Sequence, residues 1–174
     1  DAVAAIFGHA DQMPEPAGAI FTAAGLLLPH LERGERVDAA ALRVAMETAF
    51  GASDATGAWD WKTAYDACEA ATVLFLRKYG RALFRKAGSP AARLSALSKI
   101  ANLLPTHTRR STESQTFQQF STPIPLGLVA ACAAAITPAD RVLEPSAGTG
   151  LFAIFAEIAG GALVLNELAD TRAS

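Results

Sequence analysis

The segment 144–150, Glu-Pro-Ser-Ala-Gly-Thr-Gly, has the residue types and spacing best suited to bind a small ligand. Gly148 and Gly150 let backbone N–H groups approach a bound molecule closely, because glycine has no Cβ. The apolar residues just before Glu144 predict a strand, and residues 151–160 predict a helix whose N-terminus points toward the ligand. The pattern therefore predicts a strand that ends in a nucleotide-binding turn, with a carboxylate at the end of the strand.

A second apolar run, at residues 162–165, is followed by Asn166 and Glu167. Glu167 stands nineteen residues after Gly148, which is the spacing expected when a second strand ends in an acid that binds ribose hydroxyls. The two runs and the segment between them therefore predict a βαβ unit.

The same turn satisfies the loose dinucleotide fingerprint, with glycine at positions 148 and 150 and alanine at position 153. An NAD-binding enzyme of the Rossmann type is therefore one alternative. Glu144 argues against it, because a carboxylate at the end of the strand repels a phosphate, whereas it favours a cationic ligand.

The arrangement Glu-x-x-x-Gly-x-Gly at 144–150 resembles motif I of the S-adenosylmethionine-dependent methyltransferases, in the version found in DNA adenine methyltransferases. Upstream, residues 119–123, Gln-Phe-Ser-Thr-Pro, are similar to the Phe-Thr-Pro segment before motif I in the modification subunits of type I restriction systems. The longer run 59–172 also resembles the N-terminal part of large bacterial methylase and helicase proteins of the strawberry notch type. The motif resemblance covers residues 119–172, about a third of the chain.

The resemblance implies a Rossmann-like fold and S-adenosyl-L-methionine as the cofactor. It implies that Glu144 accepts a hydrogen bond from the ammonium group of the cofactor, that Glu167 accepts from the ribose hydroxyls, and that Leu168 lies against the adenine. The implied cofactor-binding residues are Phe120, Thr122, Glu144, Ser146, Gly148, Gly150, Asn166, Glu167 and Leu168.

The catalytic motif of the amino-methyltransferases is Asn or Asp, Pro, Pro and an aromatic residue, and no Pro-Pro pair occurs in this chain. In the family the motif follows the fourth strand, whereas this chain is expected to reach only the second. We therefore expect part of a longer DNA methyltransferase that acts on adenine N6. This chain would carry cofactor-binding motifs without a catalytic residue and would be inactive alone, and its partners would be DNA and the remainder of the same polypeptide.

Composition narrows the class of protein. The chain has 174 residues, of which 51% are hydrophobic and 18% charged, as expected of a globular protein. Neither an apolar stretch of the roughly 20 residues that span a bilayer nor a secretion signal is found, so a cytoplasmic location without membrane contact is expected. Cys68 and Cys132 are too few for a disulfide framework, and the three histidines lack ligand spacing, so no metal site is expected.

Charge is strongly segregated along the chain. Residues 70–112 carry a net charge of +9 without a single acid, whereas residues 1–69 carry −7 and residues 113–174 carry −4. A basic segment of this kind is suited to a polyanion, so DNA contact is a hypothesis, with Arg109 and Arg110 as the first candidates. The alternative is a solvated or ion-paired helix surface.

Helical periodicity precedes the βαβ pattern. Helices are predicted at 17–28, 38–50, 58–79, 89–104 and 122–136, with caps at Asp38 and Ser89 and an interruption at Gly80. One face of the third helix is expected to form a seam against a partner helix, made by Trp61, Tyr65, Cys68, Thr72, Phe75 and Tyr79.

The predicted fold class is α/β, mostly α overall. A helical module, residues 1–116, is expected to precede the start of a Rossmann-like S-adenosylmethionine-binding domain, residues 117–174. A further alternative is a non-catalytic module, in which the helical part binds DNA or a partner subunit and the methyltransferase-like part is only a scaffold.

Overall fold

The computed structural model describes residues 17–105 and 122–168. The described chain is mostly helical and contains one small parallel sheet, as the sequence predicted. The helices are α1 (Ala17–Arg33), α2 (Ala39–Phe50), α3 (Trp61–Lys86), α4 (Pro90–Ala101), α5 (Ile124–Ala133) and α6 (Ile154–Ala159), and the strands are β1 (Arg141–Glu144) and β2 (Ala162–Leu165). Within the described ranges, no helix combines the length and the apolar character that a membrane crossing requires.

Side-chain caps define the starts of three helices. The Asp38 carboxylate accepts a hydrogen bond from the Ala41 N–H at 2.8 Å, and the Ser89 hydroxyl accepts one from the Ala92 N–H at 3.2 Å. Both predicted caps are confirmed. Asp60 caps α3 in the same way, since its carboxylate accepts from the Thr63 N–H at 2.8 Å.

The predicted interruption at Gly80 is wrong, because α3 continues through it to Lys86. Gly80 is buried, and a Cβ at this position would lie 2.5 Å from the Ile158 side chain in α6. The glycine therefore allows two helices to approach closely, at a cost in helix propensity of about 1 kcal/mol.

Helix α3 lies at the centre of the molecule. Every residue from 64 to 74 is buried, so this helix contacts neighbours all round and not along one seam only. Of the predicted seam, the middle positions Tyr65, Cys68 and Thr72 are buried, whereas the outer aromatic rings are half-buried. Helices α1 and α2 form a first hydrophobic core with the N-terminal part of α3.

A second hydrophobic core joins the helical part of the chain to the βαβ unit. It is built by α3, α4, α5 and α6, and at its centre the Phe84 and Phe155 rings stack with centroids 6.2 Å apart. Phe155 and Leu97 are almost fully buried in this core. Packing between the two parts is therefore continuous, and the division into two domains stays a prediction.

The βαβ unit consists of β1, α6 and β2. The two strands are parallel, with Arg141 opposite Ala162 and Glu144 opposite Leu165. Helix α6 is six residues long, shorter than the predicted 151–160, because residues 151–153 form turns before it. Side chains alternate between the two faces of a strand, so Leu143 and Val164 share a face, and they are 64% and 43% exposed.

Two helical glycines offer a matched test of this packing. We expect Gly127→Ala in α5 to lower the free energy of unfolding by about 1–2 kcal/mol, since the new Cβ would lie 2.6 Å from the Phe155 ring and overpacking costs about 1–3 kcal/mol. Gly25→Ala in α1 meets no neighbouring atom within 4 Å, so it should raise the same quantity by about 0.5–1 kcal/mol. Urea denaturation measures both, and an increase for both variants would contradict the close contact at Gly127.

Candidate functional site

The turn after β1 depends on its two glycines. Gly148 and Gly150 have φ angles of +55° and +81°, in the left-handed region that other residues rarely adopt. The Gly150 N–H donates to the Ala147 carbonyl at 2.8 Å and closes the turn. The sequence therefore folds into a tight, glycine-dependent turn at the carboxyl end of the strand.

The end of β2 binds this turn at several points. The Gly148 N–H donates to Oε2 of Glu167 at 2.6 Å. Asn166 donates through its side-chain amide to the Pro145 carbonyl at 3.0 Å, and its backbone carbonyl accepts from the Ala147 N–H at 2.8 Å. Two residues named from the sequence, Asn166 and Glu167, thus hold the turn in place.

Other predicted site residues lie at the margin of the turn. Glu144 accepts from the Ser146 N–H at 3.3 Å, so its carboxylate folds back against the base of the turn. Leu168 is 74% exposed, and Thr122 directly precedes Pro123, the N-cap of α5. Three further predicted residues, Phe120, Arg109 and Arg110, lie outside the described residues.

A cavity of about 330 Å³ opens between the turn and the helices. Four of the predicted cofactor residues line it, namely Gly148, Gly150, Asn166 and Glu167. Glu144, Ser146, Leu168 and Thr122 do not line it. The opposite wall is made by Phe21 of α1 and by Val73 and Arg77 of α3, so the helical part of the chain completes the cavity.

Glu69 in α3 is a contact to the turn that sequence reasoning missed. Its side chain is buried and accepts a hydrogen bond from the Thr149 hydroxyl at 2.8 Å. The available signal was a pair of acids, Asp66 and Glu69, within an otherwise apolar part of α3. Buried carboxylates require partners, so such a pair predicts polar contacts inside the fold.

Part of the basic segment is paired with acids. Arg77 holds the Glu157 carboxylate with two nitrogens, Nε at 3.0 Å from Oε1 and Nη2 at 2.9 Å from Oε2. Lys78 binds Glu32 at 2.7 Å, and this hydrogen bond lowers the pKa of Glu32. Within residues 17–105 and 122–168, the other basic side chains of the segment form no ion pair with an acidic side chain, namely Arg81, Arg85, Lys86, Arg93 and Lys99.

The two thiols differ in burial. Burial raises the pKa of the Cys68 thiol to about 12, and the neighbouring carboxylates of Glu69 and Asp66 add to the effect. Cys132 is exposed. At pH 8 a thiol with that pKa is about one ten-thousandth thiolate, and the thiolate is the reactive form.

We therefore expect iodoacetamide at pH 8 to modify one thiol per native chain, at Cys132. Cys68 should react only after unfolding in urea. Mass spectrometry of the digested protein measures both sites, with Cys132→Ser as the control that removes the fast reaction. Rapid labelling of Cys68 in the native protein would contradict its burial.

Among the described residues, no group of three or more His, Cys, Asp or Glu side chains is arranged to hold a metal ion. No protein-family profile, curated protein or solved structure matches the chain. The turn, the cavity and their charges are therefore the features of this chain that bear on its function.

Proposed function

We propose that this chain is part of an S-adenosylmethionine-dependent methyltransferase that acts on DNA, at adenine N6. The observation that carries the proposal is the glycine turn bound by Glu167, with a cavity of about 330 Å³ beside it. A cavity of this size, at the carboxyl ends of parallel strands, is in the range that small ligands occupy.

The sheet supports the Rossmann-like part of the proposal. Parallel strands joined through a helix belong to sheets that are covered on both faces. Leu143 and Val164 are apolar side chains exposed next to each other on one face of this sheet. Both features are typical of two strands that belong to a larger sheet, in which further strands would carry the catalytic motif.

Charge at the turn supports a cationic ligand. The carboxylate of Glu144 lies at the base of the turn, and those of Glu69 and Glu167 are hydrogen-bonded to its residues. Arg77 also lines the cavity, but its guanidinium group is paired with Glu157. An ammonium or sulfonium group is therefore favoured here over a phosphate.

The resemblance assigns five residues roles at the cofactor, of which Gly148, Gly150 and Glu167 line the cavity and Glu144 and Leu168 do not. The backbone at Gly148 and Gly150 would pack against it, Glu167 would accept from the ribose hydroxyls, and Glu144 would accept from its ammonium group. Leu168, which is exposed next to Glu167, would lie against the adenine. The bound cofactor would supply an activated methyl group, and this chain's residues would bind and orient it.

Calorimetric titration with S-adenosylhomocysteine tests the proposal. We expect binding at least tenfold tighter than that of NAD⁺ or ATP in the same buffer. Tighter binding of NAD⁺ would indicate a dehydrogenase instead of a methyltransferase. Failure to bind any of the three would contradict a cofactor site formed by this chain.

A scaffold without a cofactor is the second candidate, and one observation favours it. The Gly148 N–H and the Thr149 hydroxyl are already bound within the chain, by Glu167 and Glu69. A purely structural turn needs its buried donors satisfied in this way. The helical part would then bind DNA or a partner subunit, and the titration would show no cofactor binding.

A further inference from the structure

A second cavity, of about 400 Å³, lies between α3, α4, α5 and α6. The two cavities have no lining residue in common in the described part of the chain. Helix α6 separates the two, since Glu157 and Ile154 line the first cavity and Phe155 and Ile158 the second. We define this second cavity as the arginine pocket.

The walls of the arginine pocket combine positive charge with an apolar surface. Arg81 and Arg85 come from α3 and Arg93 from α4, and the described residues of the lining include no acidic side chain. The apolar lining includes Phe84, Leu128, Ile136, Phe155 and Ile158. Three cations beside an apolar wall are suited to an anion that carries an apolar group.

Arg93 is the best-placed cation of the three. Its guanidinium group lies over the Phe84 ring, 5.6 Å from the centroid. Its Nε is buried and has no hydrogen-bond partner within residues 17–105 and 122–168. Buried donors of this kind normally have a partner, and a carboxylate or phosphate oxygen is a strong one for arginine.

Among the described residues, the acids nearest to the pocket do not pair with its three arginines. The nearest acid on α6 is Glu157, and its carboxylate is held by Arg77 outside the pocket. Arg81 donates to the backbone carbonyl of Glu157 at 3.4 Å. Arg85 is exposed and forms no ion pair in the described parts of the chain.

We propose that the arginine pocket binds an amphipathic anion, a small molecule with one carboxylate or phosphate on an apolar body. The anion would contact Arg93 and Arg85, and the apolar body would lie against Phe155, Leu128 and Ile158. This site is separate from the proposed cofactor site, because none of the described residues lines both cavities.

Cys132 lines the pocket and provides a direct readout, because a ligand in the pocket shields its thiol. The probes are octanoate, 1-octanol with the same body and no charge, and acetate with the same charge and no body. We expect octanoate to slow alkylation of Cys132 by iodoacetamide at concentrations at least tenfold lower than either control. Equal protection by 1-octanol would overturn the proposal, and so would no protection by octanoate.

Substitution of the arginines tests which positive charges bind the anion. The double variant Arg85→Gln and Arg93→Gln should need at least tenfold more octanoate for the same protection of Cys132. The control is Lys99→Gln, which changes an exposed base of α4 outside the pocket and should need the same octanoate concentration as the unmodified chain. Unreactive Cys68 shows that a variant is folded. If Cys68 reacts in the double variant, the single variant Arg85→Gln replaces it, and the same tenfold increase in the octanoate requirement is expected. An unchanged octanoate requirement in the folded variant would overturn the assignment.

Vesicles distinguish a free amphiphile from a membrane surface. We expect that the protein does not co-sediment with phosphatidylglycerol vesicles at the protein concentration used in the octanoate experiment. Vesicle binding that depends on Arg85 and Arg93 without protection of Cys132 by octanoate would overturn a small-molecule site in favour of a lipid surface.

Discussion

Replacing Glu167 with glutamine is expected to weaken binding of S-adenosylhomocysteine by about ten- to a hundredfold. A hydrogen bond to a charged group contributes about 1.5–3 kcal/mol, and 1.4 kcal/mol corresponds to a factor of ten. Glutamine keeps an oxygen that can accept from the Gly148 N–H, so the turn should survive the change. Titration calorimetry measures the affinity, and the melting temperature shows whether the turn is intact.

Two further variants make this result specific. Glu167→Ala removes the acceptor for the Gly148 N–H as well, so it should lower both affinity and melting temperature. Glu35→Gln changes an exposed carboxylate that pairs with Arg33 on the surface, and it should change neither. Unaltered affinity in Glu167→Gln would show that Glu167 only holds the turn.

Replacing Phe155 with alanine is expected to lower the free energy of unfolding by about 3–5 kcal/mol, the range found when a buried aromatic ring is removed. Phe155 is 2% exposed and stacks on Phe84 at the centre of the second core. For a chain of this size each kcal/mol shifts the melting temperature by about 2–4 °C, so a decrease of about 6–20 °C is expected.

Phe152→Ala is the matched control for this change. Phe152 lies three residues earlier in the same segment and is 37% exposed, so the loss should stay below about 1 kcal/mol. Urea denaturation of both variants gives the comparison. Equal losses of unfolding free energy in the two variants would contradict the central position of Phe155. Cofactor binding by Phe155→Ala should weaken only in proportion to the fraction of unfolded protein.

Features set by neighbouring residues could be predicted from the sequence. The caps at Asp38 and Ser89 need only a side chain and an amide three residues later. The two strands follow from apolar runs that end at the turn, and their extents match closely. The glycine turn itself was predicted because its backbone conformation needs those residues.

Features set by distant residues could not be predicted. The sequence predicts that Gly80 interrupts the helix, because its contact with Ile158, 78 residues later, is not visible in the local pattern. The buried contact between Glu69 and Thr149 joins positions 80 residues apart. The cofactor assignment, the DNA substrate and the domain boundary remain predictions, because they depend on ligands and chain segments beyond these contacts.

The ion pair between Arg77 and Glu157 has a consequence for synthesis on the ribosome. Its partners are 80 residues apart, so at about 5–20 residues per second the second half of α3 emerges about 4–16 s before the helix that covers it. During this interval Leu76 and Phe84, which are buried in the second core of the folded chain, are not yet covered by α6. We therefore expect the nascent chain to expose this apolar surface until the βαβ unit is made, and we expect slow translation of that region to lower the yield of folded protein.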